Sequence, residues 1–547
     1  MIMANAPLLE VRNLNIEFPT RRGSVKAVDG VGWTIRQGET LAILGESGSG
    51  KSVSSSAVMD LIDTPPAVIS SGEILLRGVD LLRMPTRERQ KVNGRTISMI
   101  FQDPLAALNP VYPIGWQIAE TMRVHGVDPE TAHRRVVELL ERVGIDDPER
   151  RARDYPHQFS GGQRQRIMIA SAIALKPDLL IADEPTSALD VTVEAQVLDL
   201  LKEIQAESGM GMVIITHNLG VVERVADRVV VMQAGRIVES GAVAEVMAAP
   251  SHPYTRKLLD SLPGRHGFAT PEPVTTAASA PLLDVAHVSK VYFGRPRLLS
   301  KRPVEQLRAV DDASFTLSRG ETLGIVGESG SGKSTLARML LGLDAPTEGR
   351  IAFEGRNLTG LSPAETFDIR RRMQFVFQDP TASLNPRMTI RQIISEPWAI
   401  HHGVLPRELW RARVAELLGK VGLKPEHADR HPHQFSGGQR QRVAIARSLA
   451  LNPDLIVCDE AVSALDVSIQ AQVIDLLKDL RRDLGLAYVF IAHDLALVRD
   501  FATSVIVMYR GRIVEQGPVE EVYGDPKHDY TRRLLAASGG ALGGEAA

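Results

Sequence analysis

An eight-residue stretch, Gly45-Glu46-Ser47-Gly48-Ser49-Gly50-Lys51-Ser52, recurs 282 positions later as Gly327-Glu328-Ser329-Gly330-Ser331-Gly332-Lys333-Ser334. It follows an apolar run, Thr40-Leu41-Ala42-Ile43-Leu44 in the first copy, that reads as a buried strand, and a helix-like segment comes after it. Glycines let the backbone turn tightly, so successive amide N–H groups point inward at phosphate oxygens. The start of the following helix adds partial positive charge. Lys51 and Lys333 are placed to reach the β- and γ-phosphates of a nucleotide, and Ser52 and Ser334 to hold Mg²⁺. One Gly/Ser-rich turn of this kind can arise by chance. Two identical copies do not, so the chain is expected to bind nucleoside triphosphate twice.

Further blocks recur in the same order. Phe101-Gln102-Asp103-Pro104 returns as Phe377-Gln378-Asp379-Pro380, and His157 through Arg166 returns residue for residue as His433 through Arg442. Asp183-Glu184 returns as Asp459-Glu460, the stretch Ser187 to Asp190 as Ser463 to Asp466, and His217 as His493. From Gln102, Ser160, Asp183 and His217 to their partners the offset is 276, against 282 between Lys51 and Lys333. The six-residue difference predicts extra chain in copy one between its phosphate loop and Gln102, around Thr64-Pro65-Pro66. One domain has been duplicated head to tail. The expected boundaries are 1–265 for the first copy, 266–280 for a solvated linker rich in Pro, Thr and Ala, 281–537 for the second copy, and 538–547 for a disordered Gly/Ala-rich tail.

The 547 residues suffice for two to four domains with real cores. A net charge of −3 supplies no global basic field for nucleic acid or anionic lipid. A single cysteine, Cys458, excludes an internal disulfide and any cysteine-built cluster. Its setting, Leu455-Ile456-Val457-Cys458, marks it as a core residue. No run approaches the roughly 18 apolar residues that span a bilayer, and the first residues show no signal-peptide pattern. The expectation is a chain that works at a membrane, if at all, from outside the lipid. His401-His402 and the clusters Arg150-Arg151 and Arg370-Arg371-Arg372 read as local surface features.

Within a copy, short apolar runs such as Val213 to Thr216 and Val229 to Met232 alternate with helical periodicity over Glu130–Val143 and Val193–Gln205. The alternation predicts an α/β fold with a largely parallel sheet. A mostly helical stretch from Trp116 to Val143, repeated at Ile390 to Val421, predicts a separate helical lobe. A strand Leu179 to Ala182 that ends in Asp183-Glu184 suits a phosphate site: Asp183 reaches the Mg²⁺ shell and Glu184 polarises an attacking water. Ser160-Gly161-Gly162-Gln163 exposes a hydroxyl and two glycine amides at a helix start, a second anion binder.

The order of these blocks resembles the ATP-binding cassette (ABC) ATPases, over nearly the whole chain and twice. The resemblance implies two tandem P-loop domains, each with a RecA-like core, an antiparallel β subdomain and a helical lobe. It implies two cassettes sandwiching two ATPs head to tail. Site one would take Gly45, Ser47, Gly48, Ser49, Gly50, Lys51, Ser52 and Val53, then Gln102, Asp183, Glu184 and His217, with Ser436, Gly437, Gly438 and Gln439 from copy two. Site two would take Gly327, Ser329, Gly330, Ser331, Gly332, Lys333, Ser334 and Thr335, then Gln378, Asp459, Glu460 and His493, with Ser160, Gly161, Gly162 and Gln163. Glu184 and Glu460 would be general bases or water-polarising groups, and His217 and His493 would contact the γ-phosphate. Ser52, Gln102 and Asp183, and Ser334, Gln378 and Asp459, would hold Mg²⁺. Asp190 and Asp466 would lie at the seam. Phe18 and Tyr292 would stack on adenine, with Phe293 competing for the second role.

Asp103 to Pro110, Asp379 to Pro386, and the ends His252 to Leu259 and His528 to Leu535 resemble dipeptide, oligopeptide and nickel importers, in particular their fused glutathione-type and microcin-C-type ATPases. That likeness implies two membrane-spanning permease subunits, an extracytoplasmic solute-binding protein acting indirectly, and a peripheral position on the cytoplasmic face of the inner membrane. The iron–sulfur cluster of some members needs cysteines that this chain lacks, and no nucleic-acid partner is expected. Two rivals stand beside it: a soluble twin cassette acting on the ribosome, whose usual long charged linker is missing, and an exporter ATPase. Copy two has Ala461 for Pro185 and Asp494 for Asn218. Neither change removes a reacting group, so both sites are expected to hydrolyse ATP.

Overall fold

A computed structural model describes residues 6–20, 23–187, 189–261, 280–293, 306–463 and 465–538. The expected linker, apart from Ala280, and the expected tail, apart from Ser538, lie outside the described residues. The chain divides into two units, Met1–Ser261 and Leu262–Ala547.

In the first unit, β1 (Leu9–Thr20), β2 (Gly23–Ile35), β4 (Val68–Leu76) and β5 (Val79–Asp80) form an antiparallel sheet in the order β2-β1-β4-β5. A second sheet has the order β6-β7-β8-β3-β9-β10, from β3 (Thr40–Leu44), β6 (Ile97–Ile100), β7 (Leu179–Asp183), β8 (Gly211–Thr216), β9 (Arg228–Gln233) and β10 (Arg236–Ala242). Its strands run parallel except for β10. The second unit repeats both sheets with β11 (Leu283–Phe293), β12 (Gln306–Leu317), β13 (Thr322–Val326), β14 (Glu348–Phe353), β15 (Arg356–Asn357), β16 (Met373–Val376), β17 (Leu455–Asp459), β18 (Ala487–Ile491), β19 (Ser504–Tyr509) and β20 (Arg512–Pro518).

The apolar runs are continuous because the parallel strands are covered on both faces. Along β7, Leu179 and Ile181 pack with the antiparallel sheet, while Leu180 and Ala182 face the other way, into the core shared with the helical lobe. On β8, Val213 and Ile215 take the first side, Met212 and Ile214 the second. Each such fully buried Leu or Ile is worth about 1.5–3 kcal/mol.

The expected helical stretch is two helices, Ile114–Val124 and Pro129–Arg142, and its repeat is Ile390–Ile400 and Trp410–Lys420. Asp128 caps the second helix by accepting from Thr131 N at 2.9 Å, and Pro129 supplies a pre-set first residue. Ala132, Val136, Leu139 and Leu140 make its buried stripe.

Strand register refines the expected insertion. Leu76 and Phe353, both paired to the first residue of their unit's first strand, stand 277 apart; Ile97 and Met373 stand 276 apart. Five of the six extra residues therefore precede Leu76, in the stretch that holds Thr64-Pro65-Pro66, and the sixth lies between Leu76 and Ile97.

Candidate functional site

Four neighbouring parallel strands, β6, β7, β8 and β3, all deliver their C-terminal ends to one edge of the sheet, where ligands of open parallel sheets bind. Past β3 comes the phosphate loop, past β8 His217, at the end of β7 Asp183-Glu184, and past β6 Gln102. The arrangement recurs with β13, β18, β17 and β16.

Within the loop, Gly50 takes φ 96° and Gly332 φ 102°; a Cβ on either would lie 2.3 Å and 2.2 Å from the carbonyl oxygens of Ala27 and Ala309. Only glycine fits that close approach. Lys51 Nζ donates to the Gly45 and Glu46 carbonyls at 2.6 and 3.0 Å, and Lys333 Nζ to Gly327 and Glu328 at 2.7 and 2.9 Å. Both lysines thus lie along their own loops. Ser49 Oγ and Ser331 Oγ are buried there without a hydrogen-bond partner, which fits a loop built to receive phosphate oxygens.

Ser52 Oγ lies 3.0 Å from Asp183 Oδ1, and Ser334 Oγ 3.4 Å from Asp459 Oδ1. These hard oxygen donors suit Mg²⁺. Burial is the main influence on Asp183 and pushes its carboxyl up to about 6, against the bond from Ser52 and the charge of Lys51; Asp459 is raised for the same reason.

Glu184 and Glu460 adopt left-handed backbone conformations, φ 45° and 46°, uncommon for glutamate. That turn follows directly on a strand whose last residue is the aspartate. Gln102 Nε2 donates to Glu184 Oε2 at 2.7 Å while His217 Nδ1 lies 3.0 Å from Oε1. Burial alone would raise the Glu184 carboxyl, but the His217 bond and charge, with Lys51 and Gln102, outweigh it and hold the group low. In the second unit Gln378 Nε2 donates to Glu460 Oε2 at 2.7 Å, and His493 Nδ1 stands 3.7 Å from that oxygen. The nearby His493 ring is the main cause that lowers Glu460.

Of the residues singled out by sequence, Lys51, Ser52, Gln102, Asp183, Glu184 and His217 thus gather at one edge of the first unit, and Lys333, Ser334, Gln378, Asp459, Glu460 and His493 at one edge of the second. Val53 packs partly on the apolar core behind its loop, whereas Thr335 brings a hydroxyl to the matching position. Ser160 and Gln163 stand apart from that cluster, at the start of the helix Gly161–Ala172, in a reciprocal capping box; Ser436 and Gln439 do the same for Gly437–Leu449. Gly162 and Gly438 let a second helix approach, since a Cβ there would lie 2.6 Å from Val193 and 2.3 Å from Ile469. Asp190 caps that second helix through Val193 N at 3.1 Å, and Asp466 precedes the equivalent one.

Phe18 pairs with Val25 and Tyr292 with Leu307, so the two aromatics hold the same register, while Phe293 corresponds to Pro19. Tyr292 is exposed, donates its hydroxyl to Asp344 at 3.3 Å, and has Lys290 Nζ 5.3 Å from its ring centroid. His401 stacks on Phe367 at 4.0 Å, a packing role.

Two contacts lay beyond sequence reasoning. Glu46 N donates to the Tyr254 hydroxyl at 3.2 Å, and Glu328 N to that of Tyr530 at 2.9 Å. The recurrence of Tyr-Thr-Arg at 254 and 530 was a signal, but nothing in it pointed to the phosphate loop.

Comparison with known proteins agrees with this geometry. The family model described as "ABC transporter" matches residues 28–187 and 310–463, and one described as "Oligopeptide/dipeptide transporter, C-terminal region" matches 238–295. A peptidoglycan transport ATP-binding protein, YejF of Agrobacterium fabrum, is 47% identical over 97% of this chain and 96% of its own length. The glutathione import ATP-binding proteins GsiA of Shigella dysenteriae and Escherichia coli K12 are each 47% identical over 97% of this chain and 89% of theirs. Two matched cassettes, each with its own phosphate loop and its own glutamate at the end of a parallel strand, leave one conclusion: the chain belongs to the ABC transporter family, as a fused pair of its ATP-hydrolysing subunits.

Proposed function

We propose that this chain powers an importer of peptides or a related small solute, and that each of its ATP sites is completed by the other cassette. The observation that carries the catalytic part is the pair Glu184 and Glu460, each held by a glutamine amide and approached by a histidine ring at the strand end beside the phosphate loop. A carboxylate kept ionised and oriented in this way can polarise water toward a γ-phosphate. His217 and His493 would orient the glutamate and contact the γ-phosphate. Mg²⁺ would be held by Ser52, Gln102 and Asp183, and by Ser334, Gln378 and Asp459; when bound, it neutralises charge on the phosphates.

Ser436, Gly437 and Gly438 would close the first site, and Ser160, Gly161 and Gly162 the second, with Asp190 and Asp466 at the seam. That each unit carries both half-sites supports this exchange. The cassettes would span 1–265 and 281–537, joined by 266–280, with 538–547 as a tail. ATP would draw the cassettes together and hydrolysis would release them, alternating the access of two membrane-spanning subunits seated near Gln102 and Gln378. Among the described residues no helix is long and apolar enough to cross a membrane. The exposed Phe101, Leu105, Val111, Tyr112 and Trp116, following Gln102 or adjoining it, support docking of such a partner. The names of the relatives support a peptide-like solute, taken up through a binding protein outside the cytoplasmic face where this chain would sit.

The test is copurification from native membranes in mild detergent. Two polytopic membrane subunits are the expected partners. Ribosomal proteins without a membrane subunit would overturn the proposal.

A further inference from the structure

The segment after each core sheet returns to the phosphate loop. In the first unit Glu239 on β10 accepts from Ser251 N at 2.7 Å, Ser251 Oγ at 2.8 Å and His252 N at 3.1 Å, which fixes the turn into the helix Pro253–Asp260. His252 Nδ1 caps that helix by accepting from Tyr254 N at 3.2 Å. Tyr254 is thereby buried with its hydroxyl against Glu46 N. The second unit repeats each step with other flanking residues: Glu515 accepts from Lys527 N at 2.8 Å and His528 N at 3.1 Å, His528 Nδ1 accepts from Tyr530 N at 3.1 Å, and the Tyr530 hydroxyl meets Glu328 N.

The peptide so held has a second grip. The Gly45 carbonyl, on the same peptide plane as the Glu46 N–H, accepts from Lys51 Nζ at 2.6 Å, and the Gly327 carbonyl, on the plane of the Glu328 N–H, accepts from Lys333 Nζ at 2.7 Å. The Gly45–Glu46 and Gly327–Glu328 peptides are therefore each bonded at the N–H by a tyrosine of the C-terminal segment and at the C=O by the phosphate-binding lysine. A peptide is a rigid plane, so freeing its N–H frees the carbonyl that positions the lysine. The turn, the capping histidine and the tyrosine of the first unit all fall in the stretch matched by the oligopeptide/dipeptide C-terminal model.

We propose that Tyr254 and Tyr530 are positioning residues for nucleotide: through their hydroxyls, the C-terminal segment of each cassette holds the first turn of the phosphate loop, and with it Lys51 or Lys333, ready for ATP. The inference rests on the ATPase function proposed above and adds a role for a segment that carries no reacting group.

The test uses the purified full-length chain with Tyr254→Phe, Tyr530→Phe, both together, and the corresponding alanine variants. Phenylalanine keeps the buried ring and removes only the hydroxyl. The expected result for the double phenylalanine variant is a KM for Mg-ATP raised about three- to tenfold, the worth of one such hydrogen bond at each site, with kcat within about twofold. A KM unchanged within twofold overturns the proposal. So does a rise seen only with alanine, since then the ring and not the hydroxyl matters. Hydrogen exchange on the wild-type chain gives a measurement independent of any variant's folding. The Glu46 and Glu328 amides should exchange at least about tenfold more slowly than amides of an unstructured chain, and exchange at the unstructured rate overturns the proposal. If the wild-type chain does not hydrolyse ATP, the function proposed above fails, while the exchange result still decides whether the brace exists.

Discussion

Arg77 and Glu354 occupy the same place in the two cassettes with opposite charge. Each follows the strand paired to its unit's first strand, each takes a left-handed conformation (φ 47° and 48°), and each donates its backbone N–H to the same carbonyl, Leu8 or Leu282. Arg77 reaches Asp178 at 3.0 Å, tying the antiparallel sheet to the residue that enters β7. In the second cassette the same carboxylate, Asp454, is present but Glu354 would repel it. Two arginines stand between them: Arg372 at 2.5 Å from Glu354 and 2.6 Å from Asp454, and Arg319 bonded to both. A single ion pair has become a four-residue network, with Gln37 and Thr96 at the matching positions of the first cassette. The backbone turn is what the junction keeps; the charges need only balance.

A second difference lies beside the glutamines. Leu105, Val111, Tyr112 and Trp116 of the first cassette correspond to Thr381, Arg387, Met388 and Gln392 of the second. Tyr112 stacks on Trp116 at 4.3 Å and Arg123 lies 5.1 Å from the Trp116 ring centroid, whereas the second cassette has, beside its glutamine, the exposed Phe377 edge-on to Phe375 at 4.4 Å. The groups proposed to act on nucleotide differ least: the His–Glu distance is 3.0 Å in one and 3.7 Å in the other, the Ser–Asp distance 3.0 and 3.4 Å.

The largest test of the comparison is catalytic. Replacing both Glu184→Gln and Glu460→Gln should lower steady-state ATPase by about a hundredfold or more. Singly, Glu184→Gln should remove more than half the rate and Glu460→Gln less, because Glu184 is held more closely; equal losses would mean that the difference in geometry is without consequence. Next comes docking. Trp116→Gln gives the first cassette the residue of the second, and should cut copurification of the membrane subunits about tenfold, the order expected for losing a buried aromatic anchor. Gln392→Trp should not strengthen it, since Met388 stands there in place of the stacking Tyr112.

Stability effects are smaller. Arg372→Ala should cost about 1–2 kcal/mol in urea unfolding, because it leaves Glu354 and Asp454 sharing only Arg319. Arg77→Ala, which breaks one exposed pair, should cost less than about 1 kcal/mol. A reversed order would remove the network from the account of the second cassette. Smallest is the acid response. The Arg372 bond, followed by Arg319, holds Glu354 down to about 2 from the ordinary 4.5. A depressed carboxylate contributes stability that is complete above pH 4.5 and lost as the pH falls toward 2. Glu354→Gln should flatten that part of the unfolding profile by a fraction of a kcal/mol, discounted for solvent screening, and leave the profile above pH 5 parallel to wild type.

The duplication, the parallel core and the polar residues that gather at the strand ends were legible from residues alone. A phosphate loop demands glycines at fixed places, and a fully buried strand demands an unbroken apolar run, so β3 could be read to its last residue. The helical lobe was legible as a region and its second helix from the periodicity over Glu130–Val143, but not the first as a separate helix, because the turn at Gly126 (φ 84°) leaves no mark in the apolar spacing. The extra chain was placed in the right segment, but only register could divide it into five residues and one. Tyr292 and Phe293 could not be separated in sequence, where adjacent aromatics look alike; pairing with Leu307 aligns Tyr292 with Phe18.

What the sequence by itself determined is chemical identity: which groups are present, in what order, and that they are present twice. Those follow from local requirements, because turns, caps and phosphate loops are built from residues close in the chain. Tertiary structure alone decided which distant groups meet. Gln102 and Glu184 are 82 residues apart, and Glu46 and Tyr254 are 208 apart. They touch because parallel strands end at one edge and a C-terminal helix folds back to it. No periodicity encodes such a meeting, since the contact is set by the packing of whole sheets and helices rather than by any one segment.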